Sequence, residues 1–355
     1  MKNYFLFIVA LICSIYCAYS KQYTVSNYPY TKAQFSNLQT TIDSAASGDT
    51  IYVSGSPNNY SSNIVIKKPI HLIGEGYNNT NKYNSLTPSV YLYADSITIE
   101  GFNINSFSIG YAPNETYKPI TNISIRFNRI YMINLYGLSQ SIIYNNYITN
   151  IVFHSTTTTA NNSIFANNVL GQVNFSTYAY NLLLANNIFL KHDDCAQVFS
   201  YYVSYNNCNG SSYNLMLQNN IFYRVEPRPA NYSNFVNNLT YASANDALPY
   251  GSNTGINNLI NIDPKFKSAN INLTISTFLN YDLSLSDDSP CKNAGTDSTD
   301  LGLTGGYYPW PIKSDGKLDI SGCPRTPTIE QFDLLQLVVG KDGTLRFNTQ
   351  VIRKK

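Results

Sequence analysis

Charge is what this chain of 355 residues has least of. Asp, Glu, Lys and Arg together make up 12% of it and leave a net charge of +2. Apart from the Arg-Lys-Lys end there is no basic run, so nothing in the sequence suggests a nucleic-acid partner. The three histidines, at 71, 154 and 192, are scattered and fit no zinc site. Tryptophan occurs once, and the apolar run YFLFIVALICSIYC near the N-terminus is short for a membrane span. Following Lys2 and preceding the small residues Ala18 and Ser20, that run reads as an export signal cleaved after Ser20, at residues 1–20. The implied location is outside the cell or on its surface; an uncleaved anchor is the alternative. Tyr16 is bulky where lipidation at Cys17 would want a small residue.

Beyond the signal four cysteines remain, Cys195, Cys208, Cys291 and Cys323, at spacings that match no zinc pattern. In an oxidising compartment they read as disulfide partners, Cys195 with Cys208 closing one loop; small buried thiols are the other reading.

The polarity of the chain comes instead from Asn, Ser, Thr and 31 tyrosines, which hydrogen-bond along a regular surface without like-charge repulsion. The asparagines are not random. Asn-Asn followed by apolar residues recurs at 145–146, 167–168, 186–187, 219–220, 237–238 and 257–258, with Asn128 as a weaker first copy. Taking the second Asn of each, the intervals are 18, 22, 19, 33, 18 and 20, and the long one contains the insert YNNCNGSS. A period near twenty marks a solenoid. Alternating apolar residues before each pair predict short strands with sharp bends, for which twenty residues suffice, whereas two helices hardly fit. Asparagine tolerates positive φ, and its amide can bond its counterpart one turn above and below. The prediction is an asparagine ladder in a parallel β-helix.

Three stretches carry a family resemblance. Residues 35–76, FSNLQTTIDSAASGDTIYVSGSPNNYSSNIVIKKPIHLIGEG, form a helix, a Gly-Asp-Thr-Ile strand and a Leu-Ile-Gly-x-Gly turn; the Asn-Asn coils follow; NIDPKF, YDLSLSDDSPCKNAGTD and DLGLTGG come last. Together they resemble secreted right-handed parallel β-helix proteins of the pectate-lyase-like superfamily, of the bacterial surface type. The ten Asn-x-Ser/Thr sequons look like a by-product of 47 asparagines, in keeping with that type. The resemblance implies an all-β fold: a single-stranded right-handed parallel β-helix over 21–310, a short N-terminal capping helix, a closing coil and cap at 261–306, and a C-terminal extension, 311–355, packing on the helix or following it. Phe35, Leu38, Ile42 and Ala45 share one helical face and would plug the first coil.

Counting from the Asn pairs places Lys191 over Arg224 and Asp193 over Glu226, with His192, Asp194 and Arg228 close by. In a chain so poor in charge this cluster is the candidate site. Lys191, Asp193, Arg224 and Glu226 would be its catalytic groups; His192, Asp194 and Arg228 would bind. A base could remove a proton from a uronic acid while carboxylates hold calcium, or two carboxylates could hydrolyse a glycosidic bond. The plain alternative is a ladder of exposed ion pairs. Enzyme signatures of the resembling families are missing. Of the polygalacturonase set only Asp193-Asp194 is present, the Gln-Asp-Thr and Gly-Arg-Pro-Trp of pectin methylesterases do not occur, and 126–190 carries no acidic residue where calcium-dependent pectate lyases need several. The expectation is therefore carbohydrate binding or a structural, adhesive role, with tyrosines stacking on sugar rings, rather than catalysis. A lyase or hydrolase acting on uronate-containing glycans is the alternative. No cofactor is expected unless calcium; Asp287, Asp288, Asp297 and Asp300 could hold it but read better as turn residues.

Overall fold

The computed structural model describes residues 20–78, 83–154, 162–175, 182–192, 197–200, 212–324, 328–334 and 347–352. The expected signal segment lies outside them but for Ser20, as do Asp193, Asp194, Cys195, Cys208 and most of the YNNCNGSS insert. Among the described residues no helix is long and apolar enough to cross a membrane.

Two long parallel sheets make up the solenoid. One has eleven strands, from Gln22–Val25 through Thr50–Val53, Ile142–Tyr144 and Leu215–Gln218 to Thr254–Ile256. The other runs from Ile64–Ile66 through Ser85–Leu92, Phe102–Ile109, Arg129–Leu135, Tyr147–Phe153 and Val169–Phe175 to Leu239–Tyr241. Each strand pairs with the strand one turn on, never with its sequence neighbour in a hairpin, which defines a parallel β-helix. At roughly 4.8 Å per strand the eleven-stranded sheet is about 48 Å long.

The bend between the sheets is where the Asn pairs sit, and the two members do different work. The first of each pair, Asn145, Asn167, Asn186, Asn219, Asn237 and Asn257, has φ between 50° and 59°, the left-handed turn that Asn adopts more easily than other non-glycine residues. The second points inward. The Oδ1 of Asn168 accepts from the backbone N–H (3.0 Å) and Nδ2 (3.1 Å) of Asn146; the same pair of bonds joins 168 to 187, 187 to 220, 220 to 238 and 238 to 258. Each Nδ2 also donates to a carbonyl of the previous turn, Asn187 to Phe165 at 2.8 Å. Asn128 begins the column, and its members from 128 to 238 are fully buried. The ladder satisfies the backbone at a bend that strand pairing cannot reach. A shorter column of hydroxyls serves another corner, with Ser141 and Ser233 accepting from the N–H groups of Ile123 and Leu215.

Inside, stacked apolar side chains such as Phe189 on Phe222, 4.7 Å apart, fill the coil. The helix Leu38–Ser44, capped by the Asn37 side chain on Thr40 N–H (3.0 Å), covers the first turn with Leu38, Ile42 and Ala45 buried.

The C-terminal segments differ from expectation. Asn261 and Ile262 still bond to Thr240 of the turn before, but from Phe266 on the residues read as a closing coil and cap fold back and climb the outside of the rod. Ala294, Thr296, Asp300 and Gly305 meet Asn237, Asn219, Asn186 and Asn167 in turn, held by the outward amides of the left-handed asparagines. Tyr308 packs on Tyr144 at 4.5 Å, Trp310 is buried and donates to the Asn167 carbonyl, and Ser321 accepts from Tyr77 and Asn78 N–H. At Gly322, with φ 67°, a Cβ would lie 2.2 Å from the Tyr77 ring, so only glycine lets the strap pass there. This strap creates a second core, outside the sheet, in which Leu273, Ile275, Phe278, Leu283, Leu301 and Leu303 cover Val169, Ile188, Ile221 and Leu239. Thr328–Leu334 and Phe347–Ile352 pair as an antiparallel ribbon. Cys291 is a buried free thiol, and the Cys323 Sγ donates to the Glu75 carbonyl at 3.2 Å. Burial pushes the Cys291 thiol up to about 12.

Candidate cleft on the uncovered sheet

The strap covers only part of the rod. One outward column of the second sheet runs Leu86, Asn103, Arg129, Tyr147, Val169, Ile188, Ile221, Leu239. Its lower members, from Tyr147 on, are buried by the strap; of its upper members, Leu86, Asn103 and Arg129, all are half-exposed and the last two are polar. Above the boundary lies a cleft of about 800 Å³. Asn103, Arg129 and Tyr147 form one row of its floor, and Pro88, Asn105, Tyr131 and Thr149 the next. Asn59 borders it above, and His192, Ile275 and Ser276 line it below.

Strand alternation explains the floor. In Phe102-Asn103-Ile104-Asn105 and Arg129-Ile130-Tyr131 every second side chain is buried and the others face out. Tyr131 is 48% exposed, an amphipathic ring with its face available. The Arg129 guanidinium lies 5.3 Å from the Tyr147 ring centroid and has no ion-pair partner among the described residues. The lining holds amides, hydroxyls, aromatic rings, one guanidinium and one imidazole, and none of its residues is a carboxylate. Such a set can hydrogen-bond and stack against a neutral or anionic ligand.

The residues expected to form the site are placed otherwise. Only His192 lines the cleft. Lys191 is exposed, its carbonyl accepting from Ile275 N–H at 3.0 Å. Arg224, in a left-handed turn with φ 58°, donates to the carbonyl of Ile271. Both brace the strap. Glu226 bridges to Gln197 and accepts from the Gln197 side chain at 3.3 Å. Leu190 pairs with Tyr223 and Gln197 with Glu226, so the offset between the two turns falls from 33 to 29 and a fixed count from the Asn pairs does not carry across that stretch. Arg228 stacks on Tyr250, 3.8 Å from its centroid, at the far end of the rod. Asp193 and Asp194 lie outside the described residues. The acidic residues of the strap serve turns: Asp300 accepts from Asn293 N–H and Thr304, and Asp297 from Thr299. His71 is exposed at a strand start, whereas His154 stacks on Tyr136 at 4.3 Å, and burial holds its imidazole below the ordinary range.

Sequence reasoning missed the cleft, though a signal existed. After Asn187 and Asn220 come Ile-Phe-Leu and Ile-Phe-Tyr, apolar at three successive positions, the pattern of strands buried on both faces. The upper strands alternate. That change of pattern marks where the covering ends.

No family model matches the sequence, and no curated protein matches it. Among solved structures it is similar to the crystal structure of pectate lyase Pel9A, at 12% identity and a TM-score of 0.37, the match covering 80% of this chain and 96% of that one.

Proposed function

We propose that this is an exported or surface-held β-helix protein that binds a glycan in the cleft floored by Asn103, Asn105, Arg129 and Tyr131. The observation that carries the reading is the lining itself. Amides at 59, 103 and 105 and hydroxyls at 149 and 276 suit sugar hydroxyls, while Tyr131 offers an apolar face for a pyranose ring. Successive turns present these groups about every 4.8 Å, so an extended chain lying along the rod meets a new row at each step. The ladder and the strap hold the floor rigid, which lowers the ordering cost of binding.

An enzyme acting on uronate-containing glycans is the second reading, favoured by one observation: Arg129 has no carboxylate partner among the described residues and would meet the carboxylate of a substrate. In that reading His192 is the proton-transferring group nearest the floor, and carboxylates for hydrolysis or for calcium would come from Asp193 and Asp194.

A glycan array with the full chain tests the first reading, with Tyr131→Ala as the control. Binding that the variant loses while its unfolding midpoint is kept supports it; no signal on any sugar leaves the rod a spacer. Incubation with uronate polymers, with and without calcium, followed at the ultraviolet absorbance of the unsaturated product, detects the second.

A further inference from the structure

Within the glycan-binding reading, we infer that the cleft is blind at its lower end and takes the terminus of a glycan chain, not its interior. The floor columns do not stop at Tyr147 and Thr149. They continue as Val169 and Gly171, beneath the strap. Ile275 sits directly over Gly171, where a Cβ would lie 3.2 Å from the Ile275 side chain and 2.4 Å from the Thr149 carbonyl, so the absence of a side chain at 171 is what lets the wall descend to the floor. The wall is pinned on both sides. The Tyr147 hydroxyl donates to the Ile275 carbonyl at 2.6 Å, and Ile275 N–H donates to the Lys191 carbonyl at 3.0 Å. Ile275 itself is 1% exposed, and Phe278 packs on the Tyr147 ring at 4.6 Å from the other side. At the upper end the contrast is complete: Pro57, Asn58 and Asn59 are exposed. A chain lying along the axis enters past Asn59, crosses Asn105 and Tyr131, and ends against Ile275 and Ser276. Among the described residues, nothing leaves a continuous polymer a way out below.

The test counts protein molecules per chain. Homogalacturonan, alginate, xylan and a mixed-linkage β-glucan are each offered as intact polymer and as the hexasaccharide, with binding followed by calorimetry and mass per complex by light scattering. For whichever glycan binds, end recognition predicts one protein per chain at every length, and hexasaccharide and polymer dissociation constants, per chain, within about threefold of each other. Copies per chain that rise with polymer length, with apparent affinity rising alongside, would show an open groove and overturn this inference while leaving glycan binding intact. Failure of all four glycans to bind in either form would overturn the glycan reading and this one with it.

Discussion

The same outward column of one sheet is bare in its upper turns and covered in its lower ones, and the residues change with it. Asn103 and Arg129 face solvent; Val169, Ile188, Ile221 and Leu239, in register with them, lie under the strap. Each buried aliphatic of that size contributes about 1.5–3 kcal/mol relative to exposure, which is enough to hold a segment with little regular structure of its own. In the upper turns no such gain is available. Polar groups on the upper turns are where the proposed glycan would bind, and the covered half shows what the fold does where the strap takes that place.

Exchanging the two halves' residues is the strongest way to break this comparison. Ile188→Asn places an amide in the outer core without partners and should destabilise the chain by about 4 kcal/mol in urea unfolding. The reverse exchange, Asn103→Ile, should stay within about 0.5 kcal/mol, because that position faces water. Similar losses at both sites would mean that the upper turns are covered after all.

The paired asparagines allow a sharper form of it. Asn187→Ala leaves Asn168 N–H and the Phe165 carbonyl without partners inside the coil, a loss of about 3 kcal/mol. Asn186→Gly keeps the left-handed turn and removes one bond to the strap at Asp300, a loss of about 1 kcal/mol. Thermal unfolding of the two variants side by side checks the order.

In the open half the expected effect moves from stability to binding. Tyr131→Ala should weaken glycan binding by about tenfold, equivalent to about 1.4 kcal/mol, with an unchanged unfolding midpoint. Isothermal titration with a bound hexasaccharide reads it.

The smallest effect concerns His154. Its imidazole is held below its ordinary value by burial, whereas the unfolded chain titrates near 6.5. Below about pH 6.5 the unfolded state therefore binds a proton that the folded state does not, so stability is level above that pH and falls as pH drops from there through the lowered value. His154→Phe, which keeps an aromatic ring on Tyr136, should flatten that limb of the curve.

The ladder was legible because it is periodic: Asn146, Asn168, Asn187 and Asn220 recur with the coil, and the structure stacks them in one column. The capping helix was legible for the same reason, since Leu38, Ile42 and Ala45 share a helical face. The strap was not. Leu273, Ile275, Phe278, Leu283 and Leu285 keep no single period, and the contact that seats the strap is distant in sequence, Ile275 to Tyr147 lying 128 residues apart. The candidate cluster failed by register. A fixed offset from Asn187 holds at Leu190 and Tyr223 but not at Gln197 and Glu226, so Gln197 is the partner of Glu226 on the neighbouring turn. Charge scarcity drew attention to Arg224, whose guanidinium holds the strap, and away from Arg129, whose guanidinium faces the cleft.

Amide hydrogen exchange of the full chain, with and without a saturating hexasaccharide that binds it, tests the central claim most directly. The cleft account predicts slowed exchange at 103–105, 129–131, 147–149 and 275–276, with 224–228 unchanged. Slowed exchange confined to 191–192 and 224–228 would contradict it and return the site to the charged cluster.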